Sequence, residues 1–314
     1  MTPLKDLRIL SLFSGAGGLD LGFQNAGHRI VWANDSDLDS VKTYSLNLSD
    51  HIVWSDIADI NVADIPDGDV LIGGLPCQGF SLANIHKVDN DARNDLYAQF
   101  VRILRWKMPK FFLVENVRGM LSLEQGAAFE RIQRALKASG YHIEHRVLRA
   151  SDYGVPQNRV RLFVVGTRND LVINYYFEFP SPTHSKSPEK TGLKPWQNVG
   201  DALNGLPDPG DSSHLINHVA SKYKITNRNF TGHRLTDPNK PSPTILARGN
   251  GGGGVCAIAH PNNRRRMSVR ESALIQTFPI DFRFEGNLGS MYRQVGNAVP
   301  VQLATALAKG FKKK

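Results

Sequence analysis

Two side chains capable of covalent chemistry follow short apolar runs of this sequence. The run 69–74 leads into GGLPCQGFS with Cys77, and the run 110–116 ends in ENV with Glu115. Segments that follow parallel strands meet at one edge of a sheet, where α/β proteins place their chemistry. A nucleophile and an acid at adjacent strand ends are what covalent catalysis requires. Taken singly, a cysteine is more often a small buried residue, and Glu115 is also consistent with a helix cap.

A pair of arginines enters the last apolar run of this half of the chain. YGVPQNRVRLFVVG places Arg159 and Arg161 two residues apart, hence on one side of an extended segment. Two fixed guanidinium groups suit recognition of a carboxylate or of a base edge. Either arginine alone is also consistent with an exposed surface position.

A glycine turn follows the first apolar run, in FSGAGGLDLGF from Phe13 to Phe23. Glycines let the backbone approach a ligand closely, although such turns are as often packing devices. The spacing is not GxGxxG, which argues against a dinucleotide pyrophosphate and hence against a dehydrogenase. Asp35 follows the turn by about 20 residues, where such folds hold ribose hydroxyls. The alternative is that Asp35 caps the next helix.

The elements that position these residues alternate between strands and helices. Brief β-rich runs at 7–13, 29–33, 69–74, 110–116 and 161–167 are typical of buried strands in a parallel sheet. Between them, two segments carry apolar residues on one helical face. These are Leu96, Phe100, Ile103 and Leu104, and Phe129, Ile132 and Leu136 before Gly140. The pattern predicts a doubly wound α/β domain.

The composition changes after about residue 169. FPSPTHSKSPEKTGLKPW is rich in Pro, Ser and Lys, and Gly249 to Gly254 is nearly all glycine, which predicts a smaller loop-rich domain. The last segment, VPVQLATALAKGFKKK, predicts a helix that begins near Pro300 and has a basic C-terminal end. We therefore expect one domain from 1–169 plus 282–314 and a second from 170–281.

Net charge and cysteine content indicate which kinds of partner and site this protein can have. A formal net charge of +9 favours a polyanionic partner such as nucleic acid, although many basic proteins bind none. The two cysteines, Cys77 and Cys256, form neither a disulfide framework nor a zinc site, and we interpret Cys256 as a packing residue. The sequence has no apolar run of membrane-spanning length and no signal-peptide pattern, so we expect a cytoplasmic protein.

Seven segments resemble, in the same order, the motif series of the cytosine-5 DNA methyltransferases. They are FSGAGG, SDI (55–57), PCQGFS, ENV, QNRVR, RRMSVRESALIQTFPIDF (265–282) and QVGNAVP (294–300). The likeness covers almost the whole chain except roughly residues 170–262. An ordered series is far more specific than any single motif. The resemblance implies a Rossmann-like methyltransferase fold of the bacterial restriction-modification type, with S-adenosyl-L-methionine as cofactor.

The resemblance also implies a cofactor pocket. Residues of the glycine turn would surround the methionine part, Asp35 would hold the ribose and Asp56 and Ile57 would contact the adenine. Asn297 and Val299 would close the pocket from the C-terminal segment. The residues of the turn are Phe13, Gly15, Gly17, Gly18 and Leu19.

By the same resemblance, Cys77 is the nucleophile and Glu115 the acid that contacts the cytosine ring. Arg159 and Arg161 would position the base and the catalytic loop. Carbon 5 of cytosine is a poor nucleophile, so a thiolate first adds to carbon 6 while Glu115 stabilises charge at ring nitrogen 3. The resulting enamine takes the methyl group, and loss of the carbon 5 proton and of the thiolate restores the ring. The base must leave the stacked duplex for this chemistry.

In this family, the stretch between QNRVR and the RE-containing motif reads the DNA sequence. Thr244 and Ile245 resemble its short Thr plus aliphatic element, with Arg248 beside them, and we expect these three and Ser81 to contact DNA. The glycine run that follows Arg248 allows close backbone approach to DNA or is a surface loop. Arg264 to Arg266 are interpreted as a solvated or phosphate-facing patch. Arg270 and Glu271 are interpreted as structural.

Three further expectations follow from the resemblance. The partner is duplex DNA, together with a cognate restriction endonuclease, and the protein is a monomer. An RNA cytosine methyltransferase and an inactive DNA-binding relative remain as alternatives; the region of about 90 residues before Arg265 favours DNA.

The sequence departs from the family at one position of the cofactor pocket. The family has an aromatic residue after its acidic ribose ligand, whereas Ser36 follows Asp35. Ser36→Tyr should therefore tighten cofactor binding, provided no other side chain covers the adenine.

Overall fold

The computed structural model describes residues 2–75, 95–209, 214–221, 235–247, 258–261 and 265–314. The strands in these ranges are Thr2–Pro3 (β1), Arg8–Leu12 (β2), Arg29–Asp35 (β3), Ile52–Trp54 (β4), Val70–Gly74 (β5), Phe111–Val117 (β6), Tyr141–Arg149 (β7), Val160–Arg168 (β8), Tyr175–Phe177 (β9), His184–Ser185 (β10), Lys194–Pro195 (β11) and Phe311–Lys313 (β12). The α-helices are Gly18–Asn25 (α1), Leu38–Asn47 (α2), Asp95–Lys107 (α3), Ala127–Lys137 (α4), Pro188–Thr191 (α5), Val199–Ala202 (α6), Val269–Ile275 (α7), Leu288–Asn297 (α8) and Val301–Ala308 (α9). No helix in these ranges is both long and apolar enough to cross a membrane.

The central sheet has seven strands in the order β4-β3-β2-β5-β6-β8-β7. The five runs predicted as strands form β2, β3, β5, β6 and β8. The first four of these and β4 are parallel, whereas β8 runs antiparallel to both β6 and β7. The chain returns from β7 to β8 without an α-helical crossover, and only an antiparallel pair permits such a connection. The sheet is therefore mixed at this edge, which the apolar pattern alone did not predict.

Helices cover both faces of the sheet, as its continuously apolar strands require. Successive strand residues point to opposite faces, so Ile9 and Phe111 join one core cluster while Leu10 and Phe112 join the other. The first face packs against α1, α2 and α9, and the second against α3 and α4. The predicted doubly wound α/β architecture is confirmed. Its parallel strands end at one edge, where the predicted site residues follow them.

The second half of the chain contains shorter elements. Among the described residues from 178 to 268, the strands have two residues and the helices four. Near the C-terminus, the prediction of a helix with a basic end was wrong in part. The helix α9 ends at Ala308, and β12 then pairs with β1 and β9. Phe311 is fully buried and fixes this strand in the core, whereas a continued helix would carry it away.

Candidate active site

The glycine turn connects β2 to α1 and lies against the C-terminal segment. Gly17 precedes the helix with φ of 84°, a left-handed conformation that glycine adopts without strain. A Cβ on Gly18 would lie 2.7 Å from the carbonyl oxygen of Val299. The predicted pocket residues Gly17, Gly18 and Val299 are therefore brought together. Phe13, at the end of β2, also has a positive φ of 55°, which is rare for a residue with a side chain.

Asp35 is tied to this turn. Its Oδ2 accepts a hydrogen bond of 2.7 Å from the Gly15 amide, and its Oδ1 accepts one of 2.9 Å from the Asp37 amide. The N-cap of α2 is Asp37, whose side chain accepts from Ser40, so Asp35 is not the helix cap. Burial raises the pKa of the Asp35 carboxyl, and the two backbone bonds oppose that effect. The Asp35 carboxyl group thus has a fixed orientation at the C-terminal end of β3, beside the glycine turn.

Asp56 and Ile57 follow the edge strand β4. Asp56 is exposed, and its Oδ1 accepts a hydrogen bond of 2.9 Å from the Ala58 amide. Ile57 is buried, and its carbonyl accepts a hydrogen bond of 2.8 Å from Arg102 on α3. These two residues therefore lie at the same edge of the sheet as Asp35, one strand further out. Leu19 of α1 is buried, and Asn297 is exposed at the end of α8.

Glu115 forms a shielded ion pair near the end of β6. Its side chain is 9% exposed, and Arg161 Nε on the neighbouring β8 lies 2.8 Å from Glu115 Oε1. Despite this contact, Oε1 accepts no well-directed hydrogen bond from the described residues. The Glu115 carbonyl accepts from the Leu75 amide, at the point where the chain leaves β5 two residues before Cys77. Glu115 is therefore held beside the end of β5, two residues before Cys77 along the chain.

Arg159 is buried and holds three parts of the chain together. Its Nη1 donates to the carbonyls of Ile245 at 3.1 Å and Gly296 at 3.0 Å, and its Nη2 donates to that of Asn297 at 3.4 Å. Burial lowers the pKa of this guanidinium to about 9, Arg161 adds to the shift and Glu115 opposes it. Arg159 thus links the segment before β8 to α8 and to the middle of the predicted recognition region.

The segment of Thr244 and Ile245 is fixed from the same side. Thr244 Oγ1 donates to the Asn158 carbonyl at 3.1 Å, and the Ile245 amide donates to Gln157 Oε1 at 3.0 Å. Gln157 Nε2 in turn donates to Gln276 Oε1 at 2.8 Å. The Ile245 side chain is only 6% exposed and packs in a core cluster with α7 and α8, which counts against direct contact with DNA. Sequence reasoning missed both glutamines, although Gln276 is a polar residue within an apolar helix pattern.

Several residues singled out in the sequence lie outside the described ranges. They are Cys77, Ser81, Arg248, Gly249 to Gly254, Cys256 and Arg264. Their roles stay predictions from the sequence.

Arg270 and Glu271 make the contacts of structural residues. Arg270 is fully buried and donates to the carbonyls of Ile216, Pro279 and Phe282. Glu271 forms a capping box with Ser268 at the start of α7 and a bidentate pair with Arg265. Arg265 is therefore engaged in an ion pair with Glu271, rather than forming only a solvated patch.

A buried carboxyl group that the sequence did not single out lies beneath the glycine turn. Asp20 of α1 accepts hydrogen bonds of 3.0 Å from Ser11 Oγ and from the Tyr44 hydroxyl. Ser14 in the turn donates to Ser11 Oγ at 2.9 Å, and Tyr44 contacts His51 Nε2 at 2.9 Å. The network connects the turn to β2 and α2. Its sequence signal is an acidic residue between two leucines of a helix that packs on the sheet.

We expect Asp20→Asn to reduce the loss of folding stability that the protein shows as the pH rises. Burial raises the pKa of Asp20 from 3.8 to about 6, so the folded protein holds this proton more tightly than the unfolded chain. The stabilisation is fully present below about pH 4 and is lost as the pH rises through about 6. Between about pH 4.5 and about pH 8, the free energy of unfolding of the unchanged protein should fall by about 2 kcal/mol relative to the variant. Urea unfolding at both pH values measures this difference.

The control for this experiment is Asp59→Asn, which changes an exposed carboxylate. It should leave the pH dependence of the unchanged protein in place. Equal pH dependence in the unchanged protein and in Asp20→Asn would contradict the assignment.

Comparison with known proteins gives consistent relatives over the whole chain. The model of the C-5 cytosine-specific DNA methylases matches residues 7–313. The chain is 37% identical to the type II methyltransferase M.NgoFVII of Neisseria gonorrhoeae, over 97% of this chain and 86% of that protein. It is 38% identical to M.MthTI of Methanothermobacter thermautotrophicus, over 98% of both.

Solved structures share the fold. A DNA modification methyltransferase encoded within an E. coli prophage superposes with a TM-score of 0.74 at 25% identity, over 97% of this chain and 98% of that one. The S. pombe Dnmt2 methyltransferase superposes with a TM-score of 0.72 at 21% identity, over 96% and 97%. The family model matches almost the whole chain, and the mixed seven-stranded sheet agrees with these solved structures. This chain belongs to the C-5 cytosine-specific DNA methylase family.

Proposed function

We propose that this enzyme methylates carbon 5 of one cytosine within a specific duplex DNA sequence, through a covalent bond to Cys77. The observation that carries the proposal is the placement of Glu115. Its carboxyl group is shielded and paired with Arg161, and its backbone carbonyl accepts a hydrogen bond from the amide of Leu75, two residues before Cys77 along the chain. An acid held close in the chain to a nucleophile supports addition chemistry on a ring.

The residues at the ends of β2, β3 and β4 fit S-adenosylmethionine as the methyl donor. A Cβ on Gly15 would meet no atom within 4 Å, so there is open space above the turn. The fixed Asp35 carboxylate retains lone pairs for ribose hydroxyls, and Asp56 is exposed for a polar group of the base. Phe13, Gly17, Gly18 and Leu19 would hold the amino-acid part, with Ile57, Asn297 and Val299 closing the pocket. When bound, the donor supplies a methyl group on a positively charged sulfur.

The protein's own groups carry the rest of the reaction. The Cys77 thiolate forms a bond to carbon 6 of cytosine, and the electron pair of the ring moves toward nitrogen 3. For this step Glu115 takes part in its protonated form, and it stabilises that charge by donating the proton to nitrogen 3, which makes carbon 5 nucleophilic. After carbon 5 is methylated, its proton passes to a base, the carbon–sulfur bond breaks and the nitrogen 3 proton returns to Glu115, which restores the aromatic ring, the free thiolate and the acid.

Arg159 and Arg161 act as positioning residues in this proposal. Arg161 orients the Glu115 carboxyl, as their 2.8 Å contact suggests. Arg159 keeps the Ile245 segment against the end of α8. Because burial makes its charge costly, its bonds to backbone carbonyls compensate for the lost hydration. A base extruded from the duplex would thus enter between elements that are fixed relative to one another.

DNA recognition is assigned to the region 170–281, with 1–169 plus 282–314 as the catalytic and cofactor-binding domain. Ser81, Thr244 and Arg248 are the proposed DNA contacts, and Ile245 supports Thr244 from the core. The net charge of +9 suits the phosphate backbone. Arginine is the commonest reader of guanine in the major groove, and it contacts phosphate at least as often.

Exchanging residues 170–262 for the same region of a related enzyme should transfer the recognised sequence, because the motif series stops there. Deep sequencing of bisulfite-treated DNA from cells expressing the hybrid identifies the methylated site. The hybrid should keep Asn158, Arg159 and a Thr plus aliphatic pair, so that the contacts to residues 244 and 245 form. An active hybrid that retains the original target would contradict the assignment.

A restriction-modification context is the proposed biological setting. The relatives are named type II methyltransferases, and a cognate endonuclease acting on the same sequence would be the functional partner. We propose a cytoplasmic monomer. An RNA substrate and an inactive relative are not favoured, since the family model and the curated relatives concern DNA methylation enzymes and Glu115, Arg159 and Arg161 are in place.

The direct test is bisulfite sequencing of DNA from cells that express the protein. One short sequence should carry 5-methylcytosine at a single position on each strand of a duplex site. In parallel, purified protein should transfer labelled methyl groups to duplex DNA and not to tRNA. Methylation of tRNA alone would overturn the proposal.

A further inference from the structure

Trp54 is a fixed and exposed aromatic ring at the outer edge of the sheet. It ends β4, and 59% of its surface is exposed. Its indole Nε1 donates a hydrogen bond of 3.1 Å to the Ser36 carbonyl, which holds the ring beside the end of β3. Single exposed apolar residues are common. An exposed ring that is already held in one orientation loses little conformational freedom when a ligand binds to it.

The backbone around Trp54 is held as firmly as its ring. Asn34 is buried, and its Nδ2 donates to the carbonyls of Val53 at 3.1 Å and Ser55 at 2.9 Å. The Ser55 amide donates to the Asp35 carbonyl at 3.3 Å. Trp54 is also paired in register with Asp35. The indole therefore has a defined position relative to the proposed ribose ligand.

The order of strands decides which part of a nucleoside would reach this ring. Across the sheet, the glycine turn follows β2, Asp35 ends β3 and Trp54 ends β4. Adjacent strands lie about 5 Å apart, which is also the scale of one sugar or base ring. If the amino-acid part of the donor lies at the turn and its ribose at Asp35, its base extends to β4. We propose that the Trp54 indole stacks on one face of the donor's adenine.

This inference rests on the proposed methyl donor and adds a binding residue to it. Ser36 offers no ring to the base, and Trp54, bonded to the Ser36 carbonyl, supplies the aromatic surface instead. The expectation that Ser36→Tyr tightens binding changes accordingly. With Trp54 in place, Ser36→Tyr should give little gain, whereas in a Trp54→Ala background it should recover part of the lost affinity.

The test is calorimetric titration with S-adenosylhomocysteine, the product form of the donor, and it needs no DNA. Trp54→Ala should bind about tenfold or more weakly, because stacking of a base on an aromatic ring contributes at that level. Trp54→Phe should remain within about threefold of the unchanged protein, since it keeps a stacking face. Ligand binding should also change tryptophan fluorescence in the unchanged protein, and Trp54→Phe should abolish that change.

The matched control is Trp106→Phe, which alters another exposed tryptophan, 68% exposed near the end of α3. It should preserve both the affinity and the fluorescence change. If the unchanged protein binds the ligand and Trp54→Ala binds it equally well, the stacking role is wrong and the proposed function stands. If the unchanged protein does not bind the ligand, the proposed donor itself is wrong.

Discussion

A Cys77→Ala variant is expected to transfer methyl groups to DNA at least about ten-thousand-fold more slowly than the unchanged protein. Without the thiolate, no bond forms at carbon 6, and carbon 5 of cytosine stays a poor nucleophile. Transfer of labelled methyl groups from S-adenosylmethionine to duplex DNA measures the loss. The affinity for S-adenosylhomocysteine should not change, because the proposed donor pocket lies at the ends of β2 to β4.

The covalent bond itself can be observed with DNA that contains 5-fluorocytosine. Fluorine at carbon 5 cannot leave as a proton does, so the adduct to Cys77 cannot resolve and should survive denaturation. Cys256→Ala is the matched control, because it removes the second cysteine of the chain. It should keep both methyl transfer and adduct formation. An active Cys77→Ala protein, or an adduct that disappears with Cys256→Ala instead, would end this assignment.

The interior of the fold was predictable from apolar runs, and its edges were not. The runs that became β2, β3, β5, β6 and β8 are buried on both faces, so their sequences are continuously apolar. The edge strands β4 and β7 were missed because most of their side chains are exposed. β4 is an apolar run of only three residues, IVW, which is too short to indicate a strand, and β7, YHIEHRVLR, mixes polar and apolar residues as loops do. The antiparallel direction of β8 was also not predictable, since burial does not depend on strand direction.

The candidate site was predictable where residue type carries the chemistry. Asp35 and Glu115 were singled out by their positions after apolar runs and by the family resemblance, although each was also consistent with a helix cap. Residues that act through backbone groups were missed, such as Gln157, whose side chain joins the Ile245 amide to Gln276. The burial of Ile245 was missed for a related reason. A Thr plus aliphatic pair indicates a recognition element, but it does not indicate which of the two faces the core.

Glu115→Gln is expected to slow methyl transfer by about 100- to 1000-fold, the usual effect of removing one group that stabilises developing charge. Glutamine keeps the size of the side chain, so the packing at the end of β6 should hold. Its amide oxygen can face Arg161, which leaves the NH2 group toward the substrate. That group can donate a hydrogen bond to ring nitrogen 3, but it cannot give up a proton as a carboxylic acid does. The loss should therefore appear in kcat, measured at saturating DNA and donor.

Two measurements separate this role from a purely structural one. Thermal unfolding should show that Glu115→Gln is folded at the assay temperature, although its melting temperature should fall because Arg161 loses its charged partner. The affinity for S-adenosylhomocysteine should be the same in both proteins, because it does not depend on proton transfer to cytosine. Glu144→Gln, an exposed carboxylate on β7, is the matched control and should keep the full rate. Full activity of Glu115→Gln would show that its buried carboxyl only balances the charge of Arg161. In that case, the proton for nitrogen 3 must come from another group, and the assignment of Glu115 as the acid would be wrong.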